Sequence, residues 1–340
     1  MEKELIAGTD DAGRRLDRIL RRALPGLPLS SIHRLLRKGR VTVDGVPGKG
    51  AVRIAPGSRI QVRGEAPPAK YPGVRPPKHP GESAAGSSPG LCILREGNGL
   101  LFVNKPAGLA VHRPDRRGDI PCLDDQVRSY LRDKQSPSLS FRPGPLHRLD
   151  QVSSGLIVFS TSLAGARAFS VLMRERRLGK TYLALADGCI EKEEIWEDVL
   201  FRDTTGRKTL AVSGENRIRA KPARTRIFPL AVYAPYSLVA LEIETGRTHQ
   251  IRSQAAVHGH PLAGDRKYGG SFQSNGLLLH AFSLSFPVDG FPPELGELCG
   301  KTVSAPVPEP FLRRIREIFG KDLWPPEIPG QRRENQGSEG

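Results

Sequence analysis

The chain has 340 residues, 38% of them hydrophobic, and a formal net charge of +16. That apolar share excludes wholesale disorder, and the length suggests about two domains. The excess of Lys and Arg favours a polyanionic partner, since such side chains gain by releasing counterions from phosphates. The four cysteines (Cys92, Cys122, Cys189 and Cys299) have no paired spacing, so neither a zinc site nor a disulfide framework follows, and a reducing cytoplasm fits. The first residues, MEKELIAGTDDAGRR, lack the apolar core of a signal peptide, and no apolar run approaches a membrane span.

The first 64 residues read as a unit. In RRLDRILRRAL (14–24), Leu16, Ile19, Leu20 and Leu24 fall on one helical face. PGLPLS breaks that helix, and Ser30 and Ser31 cap a second, SSIHRLLRKG, which ends at Gly39. Its inward face is Ile32, Leu35 and Leu36, which turns Arg34, Arg37 and Lys38 outward beside Arg40. VTVDGV follows as a strand reaching an Asp44-Gly45 turn, and RIQV (59–62) is another short strand. A helix face built only for solubility usually interleaves Glu with Lys, and acidic partners are scarce on this one. Over residues 14–63 the helix–helix–strand pattern resembles the α-L RNA-binding module of a small-subunit ribosomal protein. The resemblance implies that Arg34, Arg37, Lys38 and Arg40 contact RNA phosphates, contacts that fix position but read no sequence.

Residues 65–90, EAPPAKYPGVRPPKHPGESAAGSSPG, are rich in Pro, Gly and Ser and are expected to be a linker. The tail, 319–340, is expected to be disordered for lack of apolar content. Between them, 91–318 alternates apolar strands such as GLIVF and SLVALEI with helical pieces such as LAGARAFSVLMRERRL. This predicts an α+β domain built on a large, mostly antiparallel sheet.

Several islands in that domain carry more Gly, His and charge than structure requires: LLFVNKPAGLAVH (100–112), HRLDQVSSGLIVF (147–159), GKTYLALADG (179–188), IETGRTHQIRSQ (243–254), HPLAGDRKYGG (260–270) and LLLHA (277–281). Taken alone, Asp150 beside a Gly turn is a turn or cap residue. Taken together, and in this order, the islands resemble the RluA-type family of pseudouridine synthases, which isomerise uridine in structured RNA. The resemblance runs from about Leu100 to Leu284, with Ser153 where the family usually has Thr.

The resemblance implies a catalytic set. Asp150 matches the catalytic aspartate, acting either by covalent attack or by proton abstraction through a glycal. Arg252 matches the arginine that pairs with it, because a buried carboxylate needs a partner; Arg247 is the alternative, and His249 and Gln250 support the turn or the RNA. Tyr182 matches the active-site tyrosine, whose ring stacks on the extracted uracil. Arg148 either fills the gap that base leaves or clamps a phosphate. Lys105 and His112 flank the site as RNA contacts, Pro106 stiffens their loop, and Leu279 and His280 line or support the pocket.

No Walker-type phosphate loop and no spaced Cys/His set is present, so neither cofactor nor metal is expected, in keeping with an isomerase. The expected partner is RNA, most of all large-subunit ribosomal RNA, for a cytoplasmic monomer without small-molecule cofactor or membrane. The competing readings are a binding or ribosome-assembly protein without chemistry, an enzyme of transfer RNA, and a glycoside hydrolase. The last needs a second carboxylate, for which Glu242 and Glu244 are the candidates.

Overall fold

The computed structural model describes residues 2–64, 90–113, 121–132, 134, 138–203, 208–211, 220–270 and 276–320. The expected linker, save Gly90, and the tail beyond Gly320 lie outside them. The chain divides into two compact units, one of Met1–Gly90, Arg128–Gly144 and Thr161–Ala164, the other of Leu91–Val127, Pro145–Ser160 and Gly165–Gly340.

In the first unit, β1 (Glu2–Ile6) leads into α1 (Leu16–Ala23) and α2 (Leu29–Arg37), followed by β2 (Val41–Val43), β3 (Val46–Pro47) and β4 (Arg59–Arg63). The strands form one antiparallel sheet in the order β1-β4-β2-β3. Asp44 and Gly45 both take positive φ, the geometry of a two-residue hairpin turn. The expected helical stripe is the core: Leu16, Ile19, Leu20 and Leu24 pack with Ile32, Val41, Ile60 and Val62. Leu35 and Leu36 are half-buried at its edge, and Arg34, Arg37, Lys38 and Arg40 are exposed. Strand β1 had no alternating apolar pattern to announce it; its burial rests mainly on Leu5.

The sequence boundary at residue 91 places 128–144 with the later domain, whereas the structure joins this segment to the first unit. Two contacts explain the difference. Leu139 packs against the first unit's apolar core. Asp11, fully buried, accepts hydrogen bonds from the amides of Gly8 (2.9 Å) and Leu139 (2.8 Å) and from the hydroxyls of Ser138 (3.0 Å) and Ser140. A buried carboxylate is tolerable only when so many donors replace its water.

The second unit is an eleven-stranded sheet among the described residues. Its elements are β5 (Ile93–Gly97), β6 (Leu100–Lys105), α3 (Leu123–Leu131), β7 (Gly144–Pro145), β8 (Ser154–Ser160), α4 (Leu163–Arg174), β9 (Gly179–Asp187), β10 (Glu194–Asp203), β11 (Lys208–Ala211), β12 (Lys221–Tyr233), β13 (Tyr236–Ile243), α5 (Gln250–Val257), β14 (Leu279–Ser285), β15 (Thr302–Ser304) and α6 (Glu309–Phe319); α3 and α4 begin or end in segments of the first unit. The strand order is β11-β10-β12-β13-β9-β14-β8-β6-β5, with β15 beside β14 and β7 beside β8. Along the strand order and at β15 every pairing is antiparallel except β14 with β8, so the expected sheet is present with one parallel seam.

The seam fixes where the loop before β8 emerges. Gly155 has φ +113°, and a Cβ there would lie 2.3 Å from the carbonyl oxygen of Ala281. Only glycine allows strand β14 this close. His280, fully buried, ties the same seam through Ser154 Oγ (2.9 Å) and the Ala305 carbonyl (3.2 Å). Burial pushes its pKa down to about 4, so it is a neutral structural residue.

The two sheet faces follow from alternation along β9. Ala184 and Ala186 face a core with Trp196, Ile227, Val239 and Leu241, against which α5 lays Ile251 and Ala255. Leu183 and Leu185 face the other side, covered by Phe311 and Ile315 of α6. Burying a side chain such as Ile251 stabilises by roughly 1.5–3 kcal/mol.

The Asp11 cluster yields a stability prediction. Hydrogen bonds hold the Asp11 carboxyl below its ordinary pKa although burial opposes them. A lowered folded-state pKa contributes stability above the ordinary carboxylate range and loses it as pH falls through the folded value. Asp11→Ala is expected to destabilise the protein by about 3 kcal/mol near neutral pH. The wild type–variant difference should begin to shrink below about pH 5 and go on shrinking as pH falls through the folded value, as read by thermal unfolding.

Candidate active site

Strand β8 starts immediately after the turn Asp150-Gln151-Val152-Ser153, closed by the Ser153 amide on the Asp150 carbonyl at 3.2 Å. Asp150 is thereby fixed at the mouth of the parallel seam. Its side chain is 16% exposed and lines a cleft of about 850 Å³ together with Arg148, His249, Arg252 and Lys267. A smaller cavity of about 90 Å³, lined also by Tyr182, Ile243 and Leu279, opens on the same carboxylate.

Arg252 Nη1 donates to Asp150 Oδ2 at 3.0 Å. The other edge of the guanidinium grips Asp265 in a bidentate pair, Nε to Oδ2 at 2.7 Å and Nη2 to Oδ1 at 2.8 Å. Asp265 is fully buried, and its Oδ1 also accepts the amides of Lys267 (3.1 Å) and Tyr268 (3.2 Å). Burial disfavours the Arg252 charge, but Asp265 first and Asp150 second outweigh it and raise its pKa. The arginine is thus a permanent cation between two carboxylates. Asp150 Oδ1 accepts no hydrogen bond among the described residues.

Helix α5 carries Arg252 and is buried on almost every side, including Gln250, Ser253 and Gln254. Its polar groups are satisfied individually. Gln250 accepts from Thr245 Oγ1 (2.7 Å) and the Arg247 amide (3.0 Å), and donates to the Arg224 carbonyl (3.1 Å). Gln254 accepts from Thr225 Oγ1 (2.7 Å) and donates to the Trp196 carbonyl (3.0 Å) and to Asp198 (2.7 Å). Ser253 Oγ donates to the Thr209 carbonyl at 2.9 Å. The helix therefore has one seat, and Arg252 one direction.

His249, just before α5, takes φ +51°, a left-handed conformation rare outside glycine. Its Nδ1 lies 2.9 Å from the Tyr268 hydroxyl, which accepts the Thr209 amide at 2.8 Å. Nε2 lies 3.8 Å from Asp150 Oδ2. Burial, helped by Arg252, Lys267 and Arg202 and opposed by Asp150, lowers the His249 pKa. The Arg252 guanidinium lies over the Tyr268 ring at 5.2 Å.

Tyr182 is half-buried on β9, and burial first, then the Asp150 charge, raises its pKa. The phenol keeps its proton, so it stacks or donates and is no base. Arg148 is exposed at the cleft mouth, and His112 lies 3.8 Å from Asp124 on the cleft's rim. Arg247 lines the smaller cavity and spends its Nε on the Pro222 carbonyl at 3.0 Å. Glu242 and Glu244 line a different cavity from Asp150, so neither stands opposite it.

The expected phosphate contact of Lys105 is corrected. Its side chain is fully buried, and Nζ donates to the carbonyls of Pro106 (2.8 Å), Leu109 (2.9 Å) and Gln151 (3.2 Å). Burial pushes its pKa down to about 8, against the pull of Asp150. With three acceptors for its three protons, it pins loop 106–109 to the residue after Asp150 and has none left for RNA. Asp265 and Tyr268 were missed as site residues, although both stand in the island HPLAGDRKYGG. The available signal was that an arginine buried behind the apolar Ile251 needs an acid of its own.

A family model for RNA pseudouridylate synthase matches residues 99–257. Ribosomal large subunit pseudouridine synthase C of Escherichia coli is 32% identical over 91% of this chain and 94% of its own length. Ribosomal large subunit pseudouridine synthase D of Neisseria meningitidis is 32% identical over 88% of this chain and 77% of its own. The solved structure of human RNA pseudouridylate synthase domain containing 1 has 28% identity and a TM-score of 0.52, covering 74% of this chain and 94% of that one. The chain belongs to the RNA pseudouridylate synthase family, in its RluA-type branch. It is an RNA pseudouridine synthase, an isomerase that moves the glycosidic bond of uridine from N1 to C5.

Tyr268→Phe should keep the ring under Arg252 while freeing His249 Nδ1 and the Thr209 amide. The single-turnover rate is expected to fall about tenfold, the equivalent of one hydrogen bond, at unchanged RNA affinity. Rapid-quench kinetics beside a binding titration measures both.

Proposed function

We propose that the protein converts uridine to pseudouridine in large-subunit ribosomal RNA, with Asp150 as the reacting carboxylate. The observation that carries this is the state of that carboxylate on the cleft wall: Arg252 holds one oxygen at 3.0 Å, while the other has no hydrogen-bond partner among the described residues. The substrate class rests on the relatives, whose names specify the ribosomal large subunit.

In this reading the target uridine leaves its stack and enters the cleft, where Tyr182 meets the uracil face. The free oxygen of Asp150 either attacks C1′ as N1 departs or removes a ribose proton to give a glycal. The freed uracil turns; in the first route the Asp150–C1′ ester bond breaks as C5 bonds to C1′, and in the second Asp150 returns the proton to the ribose as that bond forms, after which C5 gives up its proton and N1 gains one. Arg252 does not leave Asp150 during these steps, because Asp265 fixes it from behind. Arg148 at the mouth enters the gap left by the base, and His112 and Arg247 hold flanking RNA. The first 64 residues act as an α-L RNA-binding module through Arg34, Arg37, Lys38 and Arg40, and the enzyme works in the cytoplasm as a monomer. The chemistry needs no cofactor, since the bonds broken and formed balance within the substrate.

Two predictions test this. With ribosomal RNA labelled by tritium at uridine C5, the wild type should release label and leave the chain intact. Asp150→Asn should release none while binding the RNA within about twofold of wild type. Substantial release by that variant would remove Asp150 from its role. Replacing Arg34, Arg37 and Lys38 together by Ala should weaken RNA binding and reduce the salt slope by about one for each phosphate no longer neutralised, measured by fluorescence anisotropy across a salt series. An unchanged slope would sink this RNA face.

A further inference from the structure

The first 64 residues hold fourteen Lys and Arg against six Asp and Glu. All six acids are committed. Glu2 pairs with Arg63, Glu4 with Arg59 and Asp17 with Arg15. Asp44 accepts the Arg59 amide and Asp10 the Leu163 amide, both at 2.7 Å. Asp11 is consumed by its four donors. None of the six is paired with Arg21 or Arg22.

These two arginines stand on the last turn of α1, where a cation ordinarily serves the exposed carbonyls. Here Lys3 Nζ donates to the Ala23 carbonyl at 3.3 Å, so neither arginine is needed for that task. Both are exposed and line a groove of about 360 Å³ floored by Pro25, Leu27 and Leu29. A third arginine joins them from far along the chain: Arg142. Arg21, Arg22 and Arg142 form no ion pair or side-chain hydrogen bond among the described residues. Among the described residues no acid lines the groove.

Arg142 is held there by construction. It follows the segment that Asp11 and Leu139 fasten to the first unit, and the Phe141 amide donates to Ser138 Oγ at 3.0 Å within that knot. A buried carboxylate thus serves to deliver a cation.

We propose that Arg21, Arg22 and Arg142 form a composite site for the phosphodiester backbone of the substrate RNA, separate from the α2 face, with the apolar floor receiving a ribose. Three guanidinium groups match phosphate oxygens by paired donors, and no acidic partner among the described residues has to be displaced first. The proposal rests on the reading of the protein as a ribosomal RNA enzyme, and it assigns part of its RNA affinity to a segment outside the N-terminal module.

The test uses full-length protein and a large-subunit ribosomal RNA transcript carrying tritiated uridine. Arg142→Ala should weaken binding about fivefold and lower the salt slope by about 0.7–0.9, the value of one phosphate contact. Arg21→Ala with Arg22→Ala should lower the slope by about twice as much, and Arg142→Lys should keep the wild-type slope, since the charge stays, while losing part of the affinity with the paired donors. At saturating RNA the single-turnover release rate of Arg142→Ala should equal that of wild type. Circular dichroism and thermal unfolding check that each variant is folded. A folded triple variant with wild-type affinity and slope overturns the site while the enzymatic reading stands. A reduced slope in the variants, beside a wild type that binds but releases no tritium, supports the site and overturns that substrate instead.

Discussion

A single guanidinium held between two carboxylates organises the second unit's functional end. Arg252 reaches Asp265 with two hydrogen bonds and Asp150 with one. The asymmetry matters. The fully buried partner neutralises the arginine and fixes its plane, and the half-buried partner receives a donor at a set angle. An arginine with only Asp150 as partner would be free to follow it into solvent. With Asp265 behind it, the Asp150 carboxylate is aimed by a group that cannot move with it.

Much of the surrounding structure serves that aim. The buried glutamines of α5 allow the helix no slippage, since each amide is matched to a named backbone or hydroxyl group. Lys105 does the same for the loop on the other side, joining three carbonyls with one ammonium. Such buried polar groups are costly unless every one is satisfied, and satisfied they specify one arrangement. The same economy appears in the first unit, where Asp11 is the buried charge and residues 138–140 the segment it fixes.

The parts of this architecture carried by local pattern were legible in the sequence. The leucine stripe of α1, the cations of α2, the Asp44-Gly45 hairpin and the apolar runs of β8 and β13 follow from periodicity and turn chemistry. The motif islands named the family, and with it Asp150, Tyr182 and Arg252. What escaped was set by contacts distant in sequence. Lys105 reads as a surface cation because nothing nearby reveals that the 109 and 151 carbonyls converge on it. Asp265 has no mark of its own until Arg252 is seen to be buried. The inclusion of 128–144 in the first unit depends on Asp11, more than a hundred residues upstream, and strand β1 depends on its partner β4.

The parallel seam has a mechanical meaning. Strands β14 and β8 are registered at two residue pairs, His280 with Ser154 and Ala281 with Gly155. On one side stand β8, β6 and β5; on the other, β9, β13, β12 and the elements that carry Tyr182, Arg252 and Asp265. Asp150 belongs to the first side by its chain and to the second by its ion pair. It is therefore a rivet across a join of only two residue pairs as well as a group that lines the cleft. Any twist of one half against the other strains that rivet first, so the sheet's own stiffness is felt at a carboxylate on the cleft wall.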